Sequence, residues 1–342
     1  MTADAKTLII MVNWNGWRDS IACIRSCLML KEPGVRIMLC DNASSDGSVE
    51  QILAWAKGES EAPDAPCPVP LDPHKRPDGV ALMERAAAER GDDGGGAQLL
   101  IVRTGGNLGF AGGNNVGLRW ALARDQDYAW LLNNDAVAAP DALSALIHAM
   151  QGSPRPGIAG SILFDFERPD RVQALAGAMQ RKTFKGRHLG SGLSAAQAAD
   201  TETATLLKPG EFLYPVGASL LVSRDFLREI GLMQEEYFLY YEEADWILRS
   251  EGRFPLAIVP ESRVYHHMGA STGFTENAMS LAAAGYLYRS RLLLARRFAP
   301  RHRAAVILRM VKDAAHALRQ GNIARARGIG HALLGRVHPP RA

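Results

Sequence analysis

Short apolar runs that end in polar turns recur through the first half of the chain. Residues 7–13 (TLIIMVN) and 35–41 (VRIMLCD) are two such runs, of the length and apolar density that predict buried parallel strands. Helical spacing follows each of them, over 20–30 and over 47–56, with Ser44, Ser45 or Asp46 available as an N-cap for the second helix. The rhythm resumes with a strand over 98–103, a helix over 111–123, a strand over 128–132 and a helix over 140–150 opened by Pro140. Strand and helix in alternation predict an α/β chain whose open, mainly parallel sheet is covered by helices on both faces.

Between these stretches, 58–97 is rich in Pro, Gly, Asp and Arg, contains Gly91-Asp92-Asp93-Gly94-Gly95-Gly96, and has little periodicity. It reads as a mobile surface insertion. The second half is less regular. An apolar strand lies within 212–223, a short helix over 224–230 closes at Gly231, a helix spans 242–252 and a strand spans 257–265. Beyond Asn277 the pattern is helical nearly to the end, interrupted at Pro300, Gly321, Gly328 and Gly330.

Composition narrows the classes. The 342 residues suffice for a sizeable core, 47% are hydrophobic and 22% charged, which is ordinary for a globular protein. No apolar run reaches the ~18 residues of a membrane span, and the N-terminal run is too short for a secretory signal. Cys23, Cys27, Cys40 and Cys67 form no CxxC pair. They read as packing residues in a reduced, cytoplasmic setting. Charge is uneven: residues 285–342 hold 13 Lys/Arg and the single acid Asp313, so they carry +12 and the rest −9 of the net +3. A basic tail on an acidic body predicts an anionic surface as its neighbour.

Ligands of open α/β sheets bind beyond the carboxyl ends of the strands. The polar clusters Asn13-Trp14-Asn15, Asp41-Asn42, Gly105-Gly106-Asn107 and Asn133-Asn134-Asp135 fall at four such ends. A dinucleotide fold would need GxGxxG after the first strand, and a phosphate-binding loop GxxxxGK[ST]; neither occurs.

The full set of motifs is more specific. Asn13-Trp14-Asn15-Gly16, Asp41-Asn42-Ala43-Ser44-Ser45-Asp46-Gly47-Ser48, Gly106-Asn107-Leu108-Gly109-Phe110-Ala111-Gly112-Gly113-Asn114 and Leu132-Asn133-Asn134-Asp135 come first. Val216-Gly217-Ala218-Ser219-Leu220-Leu221, Phe238-Leu239-Tyr240-Tyr241-Glu242-Glu243-Ala244-Asp245-Trp246 and Val264-Tyr265-His266-His267-Met268-Gly269-Ala270-Ser271 follow. In this order, over about 7–273, they resemble the family 2 glycosyltransferases, most of all the rhamnosyltransferase-like branch. The resemblance implies a GT-A fold over 1–275, with 276–342 as a basic helical extension. It also implies a metal-dependent inverting enzyme that moves a sugar from a nucleotide diphosphate to a hydroxyl of a polysaccharide or lipid-linked glycan. The branch suggests dTDP-rhamnose as donor.

The resemblance carries over residue by residue. The aromatic after the first strand and the acid after the second face the nucleobase in the family, which assigns Trp14 and Asp41; a core anchor and a turn former are the plainer readings. Asn107, in the glycine-rich loop before a helix, either meets donor groups or holds its own turn. The family's Asp-any-Asp motif stands here as Asn133-Asn134-Asp135, so Asp135 keeps the metal role. Asn133 offers only a neutral oxygen or a ribose contact, and Asn134 lies between them at the donor. His266, or its neighbour His267, completes a Mn²⁺ or Mg²⁺ site, and imidazole favours Mn²⁺. The second acid of the helix-opening pair, Glu243, is the family's base, with Asp245 as the other candidate. The degraded Asn133 position leaves a non-catalytic nucleotide-sugar-binding scaffold as the alternative.

In the tail, 286–298 interleaves aromatic and apolar residues with arginines at helical spacing. That pattern suits a helix lying on an anionic membrane, peripheral on its inner face, or a packed helix with a basic face. No module for nucleic acid is present.

Overall fold

The computed structural model describes residues 5–64, 66–267 and 279–339. Its first half runs β1 (Thr7–Asn13), α1 (Trp17–Leu28), β2 (Arg36–Asp41), α2 (Ser48–Ala56), β3 (Val80–Glu84) and α3 (Arg85–Glu89). Then come β4 (Leu99–Arg103), α4 (Gly109–Ala123), β5 (Tyr128–Leu132), β6 (Ala136–Ala138) and α5 (Ala142–Gln151). The middle holds β7 (Ile158–Asp165), β8 (Val172–Ala174), β9 (Gly177–Gln180), β10 (Gly186–His188), α6 (Ala195–Ala199), β11 (Glu211–Tyr214) and β12 (Ser219–Ser223). Next are α7 (Arg224–Ile230), α8 (Glu242–Ser250) and β13 (Leu256–His266), and last α9 (Leu281–Phe298), α10 (Arg303–Arg319) and α11 (Ile323–Leu333).

One sheet takes the order β3-β4-β2-β1-β5-β12-β7-β13-β6, with β8 beside β7, and a second, three-stranded sheet is β10-β9-β11. From β3 to β5 every pairing is parallel. β12 then enters antiparallel between β5 and β7. Alternation along the parallel strands divides the core between the two faces. Ile9, Met11, Ile37, Leu39 and Trp130 pack with α1, α2 and α5, while Leu8, Ile10, Met38, Cys40 and Leu131 pack with α4, α7 and α8. Helices on both faces explain why these strands read as unbroken apolar runs.

Glycines set the closeness of α4. A β-carbon on Gly113 would meet Val12 at 2.8 Å, and one on Gly117 would meet Ile10 at 2.7 Å. The glycine-rich segment therefore lets α4 lie directly on β1.

Two sequence expectations change here. The insertion expected over 58–97 is irregular only in its first part. Its second part contributes β3, the sheet's edge strand, and α3 with Ala88 fully buried. Arg36 donates to the carbonyls of Asp93 and Ala97, and the Trp120 indole donates to that of Asp92 at 2.7 Å. The strand expected within 212–223 is two strands in two sheets, because Pro215-Val216-Gly217 turns the chain between β11 and β12. The motif residues Met268, Gly269, Ala270 and Ser271 lie outside the described residues.

The C-terminal helices pack on the body. Tyr288, Leu294, Val306, Met310 and Ile329 share a cluster with Phe184, Phe212, Tyr237 and Tyr241. Among the described residues no helix is long and apolar enough to cross a membrane.

Candidate active site

The ends of β1, β2 and β5 are knitted together by buried amides and one carboxylate. Asp41 Oδ1 accepts from Asn13 Nδ2 at 2.8 Å and from the Ser44 hydroxyl at 2.6 Å, and its Oδ2 accepts from the Ser44 backbone N–H at 3.0 Å. Asn134 Nδ2 donates to Asn13 Oδ1 and to Ser20 Oγ. Asp41 and Asn134 are thus buried parts of the wall, and one Asp41 oxygen retains acceptor capacity. Trp14 differs: it stands at the end of β1 with 45% of its surface exposed, which no packing role requires. Asn107 Oδ1 accepts from the Gly109 N–H at 3.0 Å, so it holds its own turn. The next N–H of α4, from Phe110, is taken by the Phe238 carbonyl at 2.7 Å.

At the end of β5, Asp135 and His266 converge. His266 Nε2 lies 3.3 Å from Asp135 Oδ1, and 3.3 Å from the Asn133 side-chain amide. Gln173 on β8 settles which nitrogen carries the proton. Its Nε2 donates to the His266 carbonyl at 3.1 Å, so its Oε1, 2.8 Å from Nδ1, must accept. In the neutral ring with its proton on Nδ1, the Nε2 lone pair faces the Asn133 amide and Asp135 together. Asp135 Oδ1 is buried and, among the described residues, has no hydrogen-bond donor. Two acceptors facing one point fit a cation between them, and a carbonyl-type partner behind the imidazole is the usual support for a metal-ligating histidine. Among the described residues no group of three His, Cys, Asp or Glu assembles.

His267 points elsewhere: its ring stacks on Phe166 at 3.6 Å and its Nδ1 lies 3.5 Å from Glu167. Asp19, at the start of α1, has its carboxyl raised by burial and then by the Asp135 charge. A cavity of about 810 Å³ opens beside His266 and His267, lined also by Phe166, Arg168, Arg171 and Gln173.

The acidic helix α8 starts from a strained loop. Phe238, Tyr240 and Tyr241 take φ of 67°, 70° and 78°, a region bulky residues rarely enter. Such strain persists only where surrounding contacts hold it. Here α9 does so. Ser290 Oγ donates to the carbonyls of Leu239 and Tyr237, Arg289 donates to Glu236 O, and Arg291 Nε donates to the Tyr241 hydroxyl at 2.9 Å.

Three carboxyls in the first turn of α8 meet three fates. Asp245 is fully buried and locked: Tyr237 donates to it at 2.9 Å, Arg249 at 2.5 Å, and Arg297 lies at 3.0 Å. Glu242 is fully buried and, among the described residues, has no hydrogen-bond partner on either oxygen; burial, then the Glu243 charge, raise its carboxyl well above the usual range. Glu243 is partly exposed and packs against Gly217, whose absent β-carbon leaves the space that Oε1 fills. Burial pushes its carboxyl up to about 7, and backbone N–H groups pull it partly back.

The three groups are contiguous. Gly217 precedes Ala218, whose carbonyl accepts from the Asn133 N–H at 2.9 Å, and Asn133 touches His266. Sequence reasoning did not single out Gln173, Gly217 or Asp19. Only Gly217 lay within a quoted motif.

No family model matches the chain. It is 30% identical over 201 residues to N-acetylglucosaminyl-diphospho-decaprenol L-rhamnosyltransferase of Mycobacterium tuberculosis, in strains CDC 1551 / Oshkosh and ATCC 25618 / H37Rv. The match takes in 54% of this chain and 64% of those relatives, a little under two thirds of their length. A mannosyltransferase from Pyrobaculum calidifontis, solved with GDP-Man and Mn²⁺, superposes with a TM-score of 0.52. That alignment covers 98% of this chain and 88% of the other at 13% identity, a likeness of fold. The chain has the GT-A fold and, over part of its length, is similar to a rhamnosyltransferase. The clusters described above sit where open α/β sheets bind ligands, beyond the strand ends.

Proposed function

We propose that the chain is an inverting glycosyltransferase that takes a sugar from a nucleotide diphosphate and attaches it to a hydroxyl of a polysaccharide or lipid-linked glycan. The catalytic unit is 1–275, and 276–342 is its helical extension. One observation carries the reading. Of the three acids opening α8, Glu243 alone is neither sealed nor locked, and its carboxyl is tuned to about 7. A base works best with a pKa near the working pH. Glu243 takes the acceptor hydroxyl proton while that oxygen attacks the anomeric carbon from the face opposite the diphosphate. The carbon–oxygen bond to the diphosphate breaks, and its electrons leave on the diphosphate oxygen.

Asp135 and His266 would hold a divalent cation, Mn²⁺ or Mg²⁺, which when bound neutralises the charge growing on the departing diphosphate. Asn133 lies against the imidazole and helps set its rotation. Trp14 offers an exposed ring for the nucleobase, with the remaining acceptor capacity of Asp41 beneath it. Asn107 and Asn134 hold the walls. The relatives' printed activity suggests L-rhamnose as the sugar and a diphospholipid-linked sugar as the acceptor, and the motif resemblance suggests dTDP-rhamnose as the donor.

Nucleotide-sugars screened for thermal stabilisation with and without Mn²⁺, then assayed for transfer, test the reading. Metal-enhanced binding of one donor followed by product supports it. Donor binding without transfer to any glycan, with Glu243→Gln indistinguishable from wild type, favours the scaffold alternative that Asn133 in place of an acid first suggested.

A further inference from the structure

The expected interfacial segment, 286–298, is not one. α9 is clamped into the body: Tyr288, Leu294 and Ala295 are fully buried, and Arg291 is only 5% exposed, bonded to Asp313 at 3.0 Å. Arg289, Arg291 and Arg297 serve internal partners. The exposed apolar surface lies on the next helix instead. α10 carries three separate stripes at helical spacing. Val306, Met310, Asp313 and Ala317 face the core; Ile307, Leu308, Val311 and Leu318 face solvent; Arg309, Lys312, His316 and Arg319 form a basic row. Leu308, Val311 and Leu318 are 56%, 49% and 59% exposed.

The basic row lines a cavity of about 540 Å³ that Lys185 and Arg325 complete from other elements. Its one carboxylate, Asp313, is already held by Arg291 and Arg309. Among the described residues Lys185, Lys312 and Arg319 have no ion-pair partner, and Arg325 Nε is buried with no acceptor. Burial and the Arg309 charge lower the Lys185 ammonium, although Asp313 pulls it partly back. An exposed apolar stripe alone names no occupant. A basic cavity on the same helix does: the surface must be apolar inside and anionic at its boundary, which describes a lipid bilayer with phosphate headgroups.

We propose that α10 docks on an anionic membrane, with Ile307, Leu308, Val311 and Leu318 in the headgroup boundary and a lipid phosphate in the cavity of Lys185, Arg309, Lys312, Arg319 and Arg325. The docking needs neither donor nor turnover, so it stands or falls apart from the catalytic reading.

The experiment is flotation of the full chain with phosphatidylcholine vesicles, with and without phosphatidylglycerol, at low salt where attraction is least screened. Two double variants of exposed residues accompany it, Lys312→Glu with Arg319→Glu, and Leu308→Ser with Val311→Ser. Binding to the phosphatidylglycerol vesicles alone, weakened about tenfold or more by each pair, is the expected result. Calorimetry with inorganic pyrophosphate separates a lipid headgroup from a free phosphate. Pyrophosphate binding without vesicle binding overturns the proposal, as does vesicle binding that neither pair alters. A short DNA duplex bound as tightly as the vesicles would assign the basic row to nucleic acid and equally overturn it.

Discussion

The Glu243 carboxylate occupies the space that a β-carbon on Gly217 would need. Gly217 has no positive φ that would demand glycine, so the requirement is steric and comes from the carboxylate. Gly217→Ala should displace Glu243 while leaving the nucleotide side untouched. The expected outcome is a fall in kcat with little change in nucleoside diphosphate affinity, read by steady-state kinetics beside calorimetry. A variant with wild-type kcat would separate Glu243 from the reaction.

Glu243→Gln keeps shape and removes the proposed base. Transfer should fall about 10²–10⁴-fold, and the wild-type rate should rise with pH through about 7 as the carboxyl ionises. Stability runs the other way. A carboxyl raised in the folded state favours the fold while protonated, and that contribution is lost as pH climbs from the unfolded value through about 7. The Gln variant lacks this loss, so its Tm should gain on wild type between pH 5 and pH 8. Parallel melting curves check it.

Asp245 should behave as structure rather than chemistry. Its buried carboxylate holds Arg249, Arg297 and Tyr237. Removing one partner of such a buried set costs about 3–5 kcal/mol. Asp245→Ala should therefore unfold earlier in urea. Asp245→Asn should retain transfer per folded molecule, whereas transfer abolished with unchanged stability would move the base to Asp245.

The parts legible in the sequence were those whose burial is symmetrical. β1, β2, β4 and β5 are covered on both faces, so their apolar runs announced them and placed the polar residues at their ends. β3 is an edge strand with only Met83 buried, and its Pro- and Gly-rich approach concealed it. Gln173 sits in the three-residue β8, too short for any periodicity. The arginines of α9 looked like a surface face because their acceptors, Asp313, Asp245 and the carbonyls before α8, are distant in sequence. Motif order carried the acidic helix and the histidine, but it could not tell the locked Asp245 from the available Glu243. Only the third dimension separates them.

The Asp135–His266 pair makes a prediction about Gln173. Gln173 donates to the His266 carbonyl and accepts from Nδ1, so it fixes the orientation of the ring. Gln173→Leu should weaken Mn²⁺ affinity about 10–100-fold, the usual effect of losing such a support. Calorimetry with Mn²⁺ in the presence of nucleoside diphosphate reads this without turnover. Gln173→Glu, which still accepts from Nδ1, should restore most of the affinity. If both variants bind Mn²⁺ as wild type does, His266 is not a ligand.

Trp14 and Asp41 distinguish a donor-facing group from a wall. Trp14 is 45% exposed and Asp41 only 3%. Trp14→Ala removes a ring that no core contact requires, so Tm should barely move. If the ring lies on a nucleobase, the lost stacking is about 1–3 kcal/mol, roughly a 5- to 150-fold loss of nucleotide affinity. Asp41→Ala should act on both readouts, because Asn13 and the Ser44 N–H lose a buried acceptor. Its Tm should fall and its nucleotide affinity with it, so Asp41→Ala alone cannot assign a base contact. Comparing uridine and thymidine diphosphates on the same two variants can. A base contact through the free Asp41 oxygen would make the affinity loss larger than Trp14→Ala produces, at a temperature where both variants are fully folded. Equal or smaller loss in Asp41→Ala confines that residue to the wall, and Trp14 retained at full affinity removes the nucleobase from the end of β1 altogether.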